Sequence, residues 1–241
     1  MKAIAVIPAR LASTRLPGKM LREIAGKPLV GWVYEAVRSS SLLSDVIIAT
    51  DSEEILEACR RHGWKAQMTS PAHRSGTERV HEVANSIAAD VYVNVQGDEP
   101  RVRPEQIAVL LEVMKDPAVA VGTVKTPCPQ EEIRNPNAVK DVTAPGGRAL
   151  YFSRATIPFD RDGAGAGPRY FKHLGLYAYR KAALDLFVSK PESALEKSER
   201  LEQLRFLENG IPIYVGETPY DSVGVDTEED LQRVEEILRK R

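Results

Sequence analysis

Arg10, Arg15 and Lys19 stand close together in Pro8-Ala9-Arg10-Leu11-Ala12-Ser13-Thr14-Arg15-Leu16-Pro17-Gly18-Lys19, directly after the apolar run Ala3-Ile4-Ala5-Val6-Ile7. A strand that empties into a loop of small side chains and cations suits phosphate: backbone N–H groups can approach the anion and the cations neutralise it. A solvated basic loop is the alternative. Asp98, in Gln96-Gly97-Asp98-Glu99-Pro100, follows another apolar run and has the chemistry of an oxygen ligand for Mg2+, which takes carboxylates together with substrate phosphates and water. A helix-capping or solvated acid fits it equally well. Asp226 precedes Thr227 and reads on its own as a cap more readily than as a ligand. The segment His73-Arg74-Ser75-Gly76-Thr77-Glu78-Arg79 would pass for a charged first helical turn. Arg154, His173, Tyr177, Glu202 and Gln203 are polar residues in apolar surroundings, each taken singly a structural residue. The pattern Gly-x-x-x-x-Gly-Lys-Ser/Thr is absent, as is the Gly-rich fingerprint of dinucleotide-binding folds.

The elements that must position these residues alternate through the first half. Leu29, Val30, Trp32, Val33, Ala36 and Val37 recur at helical spacing, with Pro28 suited to the first turn. Asp45–Thr50 reads as a buried strand, Asp51 with Glu54 as a helix start and Gly63 as its stop. A helix is expected over Thr77–Ala89, a strand over Asp90–Val95, a helix over Pro104–Lys115 and a strand over Val119–Val124. This order predicts an α/β fold, a doubly wound and mostly parallel sheet with right-handed crossovers. Ligands gather beyond the carboxyl ends of such strands, where Arg10, Asp51 and Asp98 all fall. The second half is less regular. Pro145-Gly146-Gly147 reads as a turn and Asp160–Pro168 as a mobile excursion. Strands at Ala149–Phe152 and Leu174–Tyr179 are expected to form a smaller sheet layer. Helices are expected over Arg180–Val188 and Ser198–Glu208, and a last one opens at Thr227.

With 241 residues and a net charge of −1, the chain fits one large α/β domain or two small ones, and is no general polyanion binder. Cys59 and Cys128 lie far apart, without metal-ligand spacing, and read as reduced structural thiols. No stretch approaches the roughly 18 apolar residues of a membrane span, and the N-terminal run is not a secretory h-region. A soluble cytoplasmic protein is expected, with neither nucleic-acid binding nor membrane insertion. No internal repeat or low-complexity linker divides the sequence, so a single domain is expected over 1–241.

Six blocks occur in an order that resembles the cytidylyltransferases that make CMP-activated acidic sugars. After the basic loop come Thr69-Ser70-Pro71 with His73–Arg79, then Gln96–Pro100, Ala149–Arg154 with Ile157-Pro158, His173–Tyr177, Leu201–Arg205, and Gly224–Thr227. The Leu201-Glu202-Gln203-Leu204-Arg205 block and the Ser13–Pro17 run point to the branch that uses 3-deoxy-manno-octulosonate (Kdo) rather than sialic acid. The resemblance implies a nucleotidyltransferase-type sheet with a smaller sugar-binding and dimerisation layer: a nucleotide part over about 1–125, a sugar part over about 126–225 and a closing helix over about 227–241. It implies CTP held by Ala9, Arg10, Leu11, Arg15, Lys19, His73, Ser75, Gly76, Arg79, Gln96, Gly97 and Asp98, with Arg10, Lys19, Asp98 and Asp226 catalytic. Asp98 and Asp226 would bind Mg2+, and Gln96, Arg154, His173, Tyr177, Glu202 and Gln203 the sugar. It also implies a homodimer that supplies CMP-Kdo for lipopolysaccharide. A synthetase for an amino-substituted Kdo, or a nucleotide-binding regulator without turnover, are the rivals. No general base can be picked out of the sequence.

Overall fold

The structure, a computed structural model, describes residues 1–13, 16–161, 168–222 and 224–239. Arg15 and most of the Asp160–Pro168 segment lie outside the described residues. Along the chain, strand β1 (Ala3–Ala9) is followed by a 3-10 turn at Lys19–Leu21 and a short hairpin, β2 (Glu23–Ile24) and β3 (Lys27–Pro28). Next come α1 (Leu29–Arg38), β4 (Asp45–Thr50), α2 (Glu53–His62), β5 (Ala66–Met68), α3 (Gly76–Ser86), β6 (Val91–Asn94) and α4 (Pro104–Val113). The second half adds β7 (Val121–Pro127), a 3-10 turn at Gln130–Glu132, β8 (Lys140–Thr143), β9 (Ala149–Ser153) and β10 (Phe171–Tyr179). It closes with α5 (Lys181–Ser189), α6 (Ala194–Glu199), α7 (Leu204–Glu208), β11 (Ile213–Glu217) and α8 (Glu228–Leu238). These elements gather into two compact units, Met1–Ala108 with Ser222–Arg241, and Val109–Asp221.

In the first unit the strands lie in the order β6-β1-β4-β5, each neighbouring pair parallel. Parallel neighbours need a crossover, and α1, α2 and α3 supply them. Ala3 to Ile7 are wholly buried, as expected of a parallel strand covered on both faces. The chain moves outward from β1 to β4 and β5, then returns to the other side of β1 as β6. That reversal puts the loops after β1 and β6 side by side at the carboxyl edge, the usual ligand position. Helix α8 belongs to this unit. Its Leu231, Val234 and Leu238 join Val225, Leu16, Ile24 and Leu29 in one buried cluster.

In the second unit the order is β11-β7-β10-β8-β9; β7 and β11 are parallel and the other pairs antiparallel. Its core includes a run of ring contacts through His173, Tyr177, Tyr179, Phe206 and Phe187.

The α/β architecture is the one expected, but several boundaries differ. Ser52, not Asp51, caps α2 by accepting a hydrogen bond from Ile55 N; Asp51 is engaged by Arg79 instead. Helix α3 ends at Ser86, short of the Ala89 expected. The helix expected over Ser198–Glu208 is two short ones: Arg200 takes a left-handed conformation, φ 55°, at the end of α6. The strands expected at Ala149–Phe152 and Leu174–Tyr179 are β9 and β10, and β8 pairs with both. β2, β3, β5, β8 and β11 are elements without an expected counterpart.

Candidate active site

Lys19, Asp98 and Asp226 meet although they are far apart in sequence. Lys19 Nζ donates to Asp98 Oδ2 at 2.6 Å and to Asp226 Oδ1 at 3.0 Å. Gly18 precedes the 3-10 turn in a left-handed conformation, φ 65°, which glycine adopts without steric cost. Leu16 and Met20, both buried, fix the backbone on either side of Lys19. Val225 N donates to the Asp98 carbonyl at 2.9 Å, tying the loop before α8 to the loop after β6. Val225 is also in the α8 cluster, so the apolar packing that seats the last helix delivers Asp226 to Asp98. Asp226 is not the cap of α8. Thr227 is, in a capping box with Asp230. Burial works against the charge of Lys19, but Asp98 and Asp226 more than offset it and raise its pKa above that of an ordinary lysine. Gly97 allows the approach of β6 to β1: a Cβ there would lie 2.7 Å from the Pro8 carbonyl oxygen.

The segment before α3 is fastened to both sides of this edge. Arg10 Nη2 donates to the Arg74 carbonyl at 2.9 Å, linking the basic loop to it. Ser75 caps α3 by accepting from Glu78 N, and Arg74 N donates to the Glu78 carboxylate. His73 is hydrogen-bonded to Glu82. Arg79 is completely buried, pairs with Asp51 at 2.7 Å and bonds to Thr69, so its guanidinium ties the strand-end loops together, while its Nε has no hydrogen-bond partner among the described residues. Ala9 is buried at the end of β1, while Leu11 and Gln96 are half-buried. Asn94 escaped the sequence reading. It is 2% exposed at the end of β6, beside Gly76, and its Oδ1 has no hydrogen-bond partner among the described residues. An amide inside an otherwise apolar strand was the available signal.

The residues expected to meet a sugar all lie in the second unit, apart from Gln96. His173 is held between Phe152 and Tyr177, and its Nε2 lies 3.0 Å from Thr123 Oγ1. Burial lowers its pKa to about 3, so the ring is neutral near pH 7. Thr123, wholly buried, is a second residue the sequence did not single out. Arg154 is anchored by carbonyls through all three guanidinium nitrogens: Nε to Glu199 at 2.6 Å, Nη1 to Pro136 at 3.0 Å and Nη2 to Arg200 at 3.4 Å. Those three bonds orient the guanidinium and use three of its five N–H donors. Gln203 is 4% exposed and its Nε2 has no partner among the described residues, whereas Glu202 is exposed.

The donor chemistry at Lys19 suits magnesium. Two carboxylates from different loops converge on one cationic group, and a hard divalent ion takes such oxygens while drawing its other ligands from phosphate and water.

Residues 4–215 match the cytidylyltransferase family. A 3-deoxy-manno-octulosonate cytidylyltransferase of Koribacter versatilis (strain Ellin345) is 66% identical over 100% of this chain and 92% of the relative. One of Acidobacterium capsulatum is 58% identical over 100% of this chain and 98% of that protein. A solved structure of CMP:2-keto-3-deoxy-manno-octonic acid synthetase complexed with CTP superposes with a TM-score of 0.95 at 41% identity, covering 100% of this chain and 99% of that one. Full-length similarity of this order leaves one assignment: the chain belongs to the 3-deoxy-manno-octulosonate cytidylyltransferase family.

Proposed function

We propose that the chain joins CTP and Kdo to give CMP-Kdo and pyrophosphate. The anomeric oxygen of Kdo forms a bond to the α-phosphorus. The bond from that phosphorus to the oxygen bridging to the β-phosphate breaks, and pyrophosphate leaves with the electron pair. The hydroxyl proton passes to solvent. What carries the reading, beside family membership, is the convergence of Lys19, Asp98 and Asp226 at the carboxyl edge of β1 and β6.

Arg10 and Lys19 would bind the triphosphate and oppose the charge that grows on the leaving group; Arg offers a fork and Lys a compact point charge. Arg15 keeps the phosphate role that the family pattern gives it. The His73–Gly76 segment and Gln96 would hold the cytidine, with Gly97 letting backbone come close. Asp98 and Asp226 would hold Mg2+. Bound there, the ion would draw charge from the phosphate oxygens and ease departure of pyrophosphate. Arg154 suits the sugar carboxylate. Neutral His173, Tyr177, Glu202 and the Gln203 amide, whose Nε2 has no partner among the described residues, suit its hydroxyls, since a buried donor gains most from a ligand that supplies an acceptor. The enzyme would work in the cytoplasm as a homodimer, as one functional domain supplying lipopolysaccharide assembly.

The test is pyrophosphate release by purified protein with Mg2+, CTP and Kdo. Strong preference for CTP over ATP and GTP is expected, and comparable turnover with a purine triphosphate would remove the assignment. Light scattering tests the dimer against the 26.6 kDa single chain.

A further inference from the structure

We propose that Lys19 is the resident counter-ion of the Asp98–Asp226 pair, that it makes the nucleotide-free protein a poor binder of divalent cations, and that the cation therefore enters together with the triphosphate. The inference rests on the reading of the two aspartates as metal ligands.

The geometry carries it. Lys19 Nζ takes one oxygen from each carboxylate, at 2.6 and 3.0 Å, and so occupies the position from which a shared cation would grip both. An ammonium is compact and has three donors and no acceptor, so it satisfies two converging carboxylates as a single point charge. The two acids are not left to repel each other before a substrate arrives. A divalent ion arriving alone must displace this ammonium and strand it in a position only 6% exposed. Burying a charge without its partner is strongly unfavourable. A triphosphate removes that obstacle by offering Lys19 new anionic oxygens as the carboxylates pass to the metal. The backbone need not move. Gly18, Leu16 and Met20 fix it, and rotation about the bonds of the flexible four-carbon stem re-aims the ammonium.

The experiment measures Mn2+ binding to the full chain without nucleotide, by electron paramagnetic resonance of the free ion. Lys19→Met keeps the length of the side chain and removes the charge. It is expected to bind Mn2+ about tenfold tighter than wild type, the scale of losing the two ion pairs that compete for the carboxylates. Adding Asp226→Asn should abolish the gain. Equal or weaker binding by a folded Lys19→Met protein would overturn the proposal; Lys19→Gln serves as a second variant if the first does not fold. If neither folds, the wild type decides. Without CTP it should bind Mn2+ no more tightly than about 1 mM, and micromolar binding would overturn the exchange. Pyrophosphate release by the wild type is independent of this result. A Mn2+ gain without CMP-Kdo formation would leave the exchange standing and remove the substrate reading; the reverse pattern would do the opposite.

Discussion

Asp226 is where the sequence offered two roles and the geometry separates them. Thr227 caps α8, and Asp226 points its Oδ1 at Lys19. Asp226→Asn should therefore leave the cap and the thermal midpoint nearly unchanged, while turnover falls roughly a hundredfold, the scale of losing one charge that stabilises a transition state. Steady-state rates at several Mg2+ concentrations, beside a melting curve, check this; near-wild-type rates at low Mg2+ would sink the two-carboxylate mechanism. His173 gives a second prediction. Its pKa is lowered to about 3 in the folded protein, against about 6.5 unfolded, so between those values the unfolded chain binds more protons. Stability from this residue is complete above pH 6.5 and is lost as pH falls through that window. Asp141 acts in the opposite sense: burial raises it to about 6, partly countered by Lys125, so its contribution declines as pH rises toward 6. His173→Asn should be relatively more stable against wild type at pH 5 than at pH 7, by on the order of 1–3 kcal/mol. Urea melts at both values read that difference, from which the Asp141 contribution drops out. A difference independent of pH would mean that His173 is not held neutral.

Among the elements, the contact of β6 with β1 is the one on which the site most depends. At Gly97 a Cβ would meet the Pro8 carbonyl oxygen at 2.7 Å and the Met20 sulfur at 3.1 Å. The sulfur can shift but the strand backbone cannot. Gly97→Ala should cost about 1–3 kcal/mol and displace the neighbouring Asp98. At Gly76 the nearest atom would be Pro8 Cγ at 3.4 Å, an ordinary contact, so Gly76→Ala is the control. Denaturant melts of the pair check this, with CTP affinity read for Gly97→Ala alone because Gly76 belongs to the cytidine segment; equal losses of stability would locate the constraint elsewhere. The strands β1 and β4 and the helices α1 and α2 were legible because their apolar periodicity matches one state and Gly63 marks a stop. The break between α6 and α7 was not. No Gly or Pro announces it, and Arg200 adopts φ 55° there. Arg205 sits 5% exposed, bonded to both oxygens of Glu196 at 2.7 and 2.6 Å and stacked over Phe187. That buried pair folds α7 back on α6, a tertiary effect that overrides local propensity. Short strands such as β5 and β8 escaped for a related reason: a few residues show no period, and their partners decide them.

At the scale of the molecule, the basic loop, Asp98 and the family pattern were legible, but the reason they converge was not. The first unit is discontinuous: Met1–Ala108 is completed by Ser222–Arg241, and composition does not mark that return. The meeting of Asp226 with Lys19 spans 207 positions and is made by packing rather than by any local signal. Val225, Leu231, Val234 and Leu238 are each 5% exposed or less and cover Leu16, Ile24 and Leu29. At about 1.5–3 kcal/mol for each buried apolar side chain, removing four reaches the size of an entire domain's stability, about 5–15 kcal/mol. A chain ending at Asp221 should therefore fail to fold as a whole, or expose a core that aggregates, and not merely lose activity. A chain ending at Leu238 keeps the cluster, the Thr227 cap and the Arg22–Glu228 pair, and should melt as the full chain does. Circular dichroism melts of the two truncations separate the cases. If the chain ending at Asp221 melted cooperatively near the full-length midpoint, α8 would be an appendage, and the packing argument for how Asp226 reaches the site would fall with it.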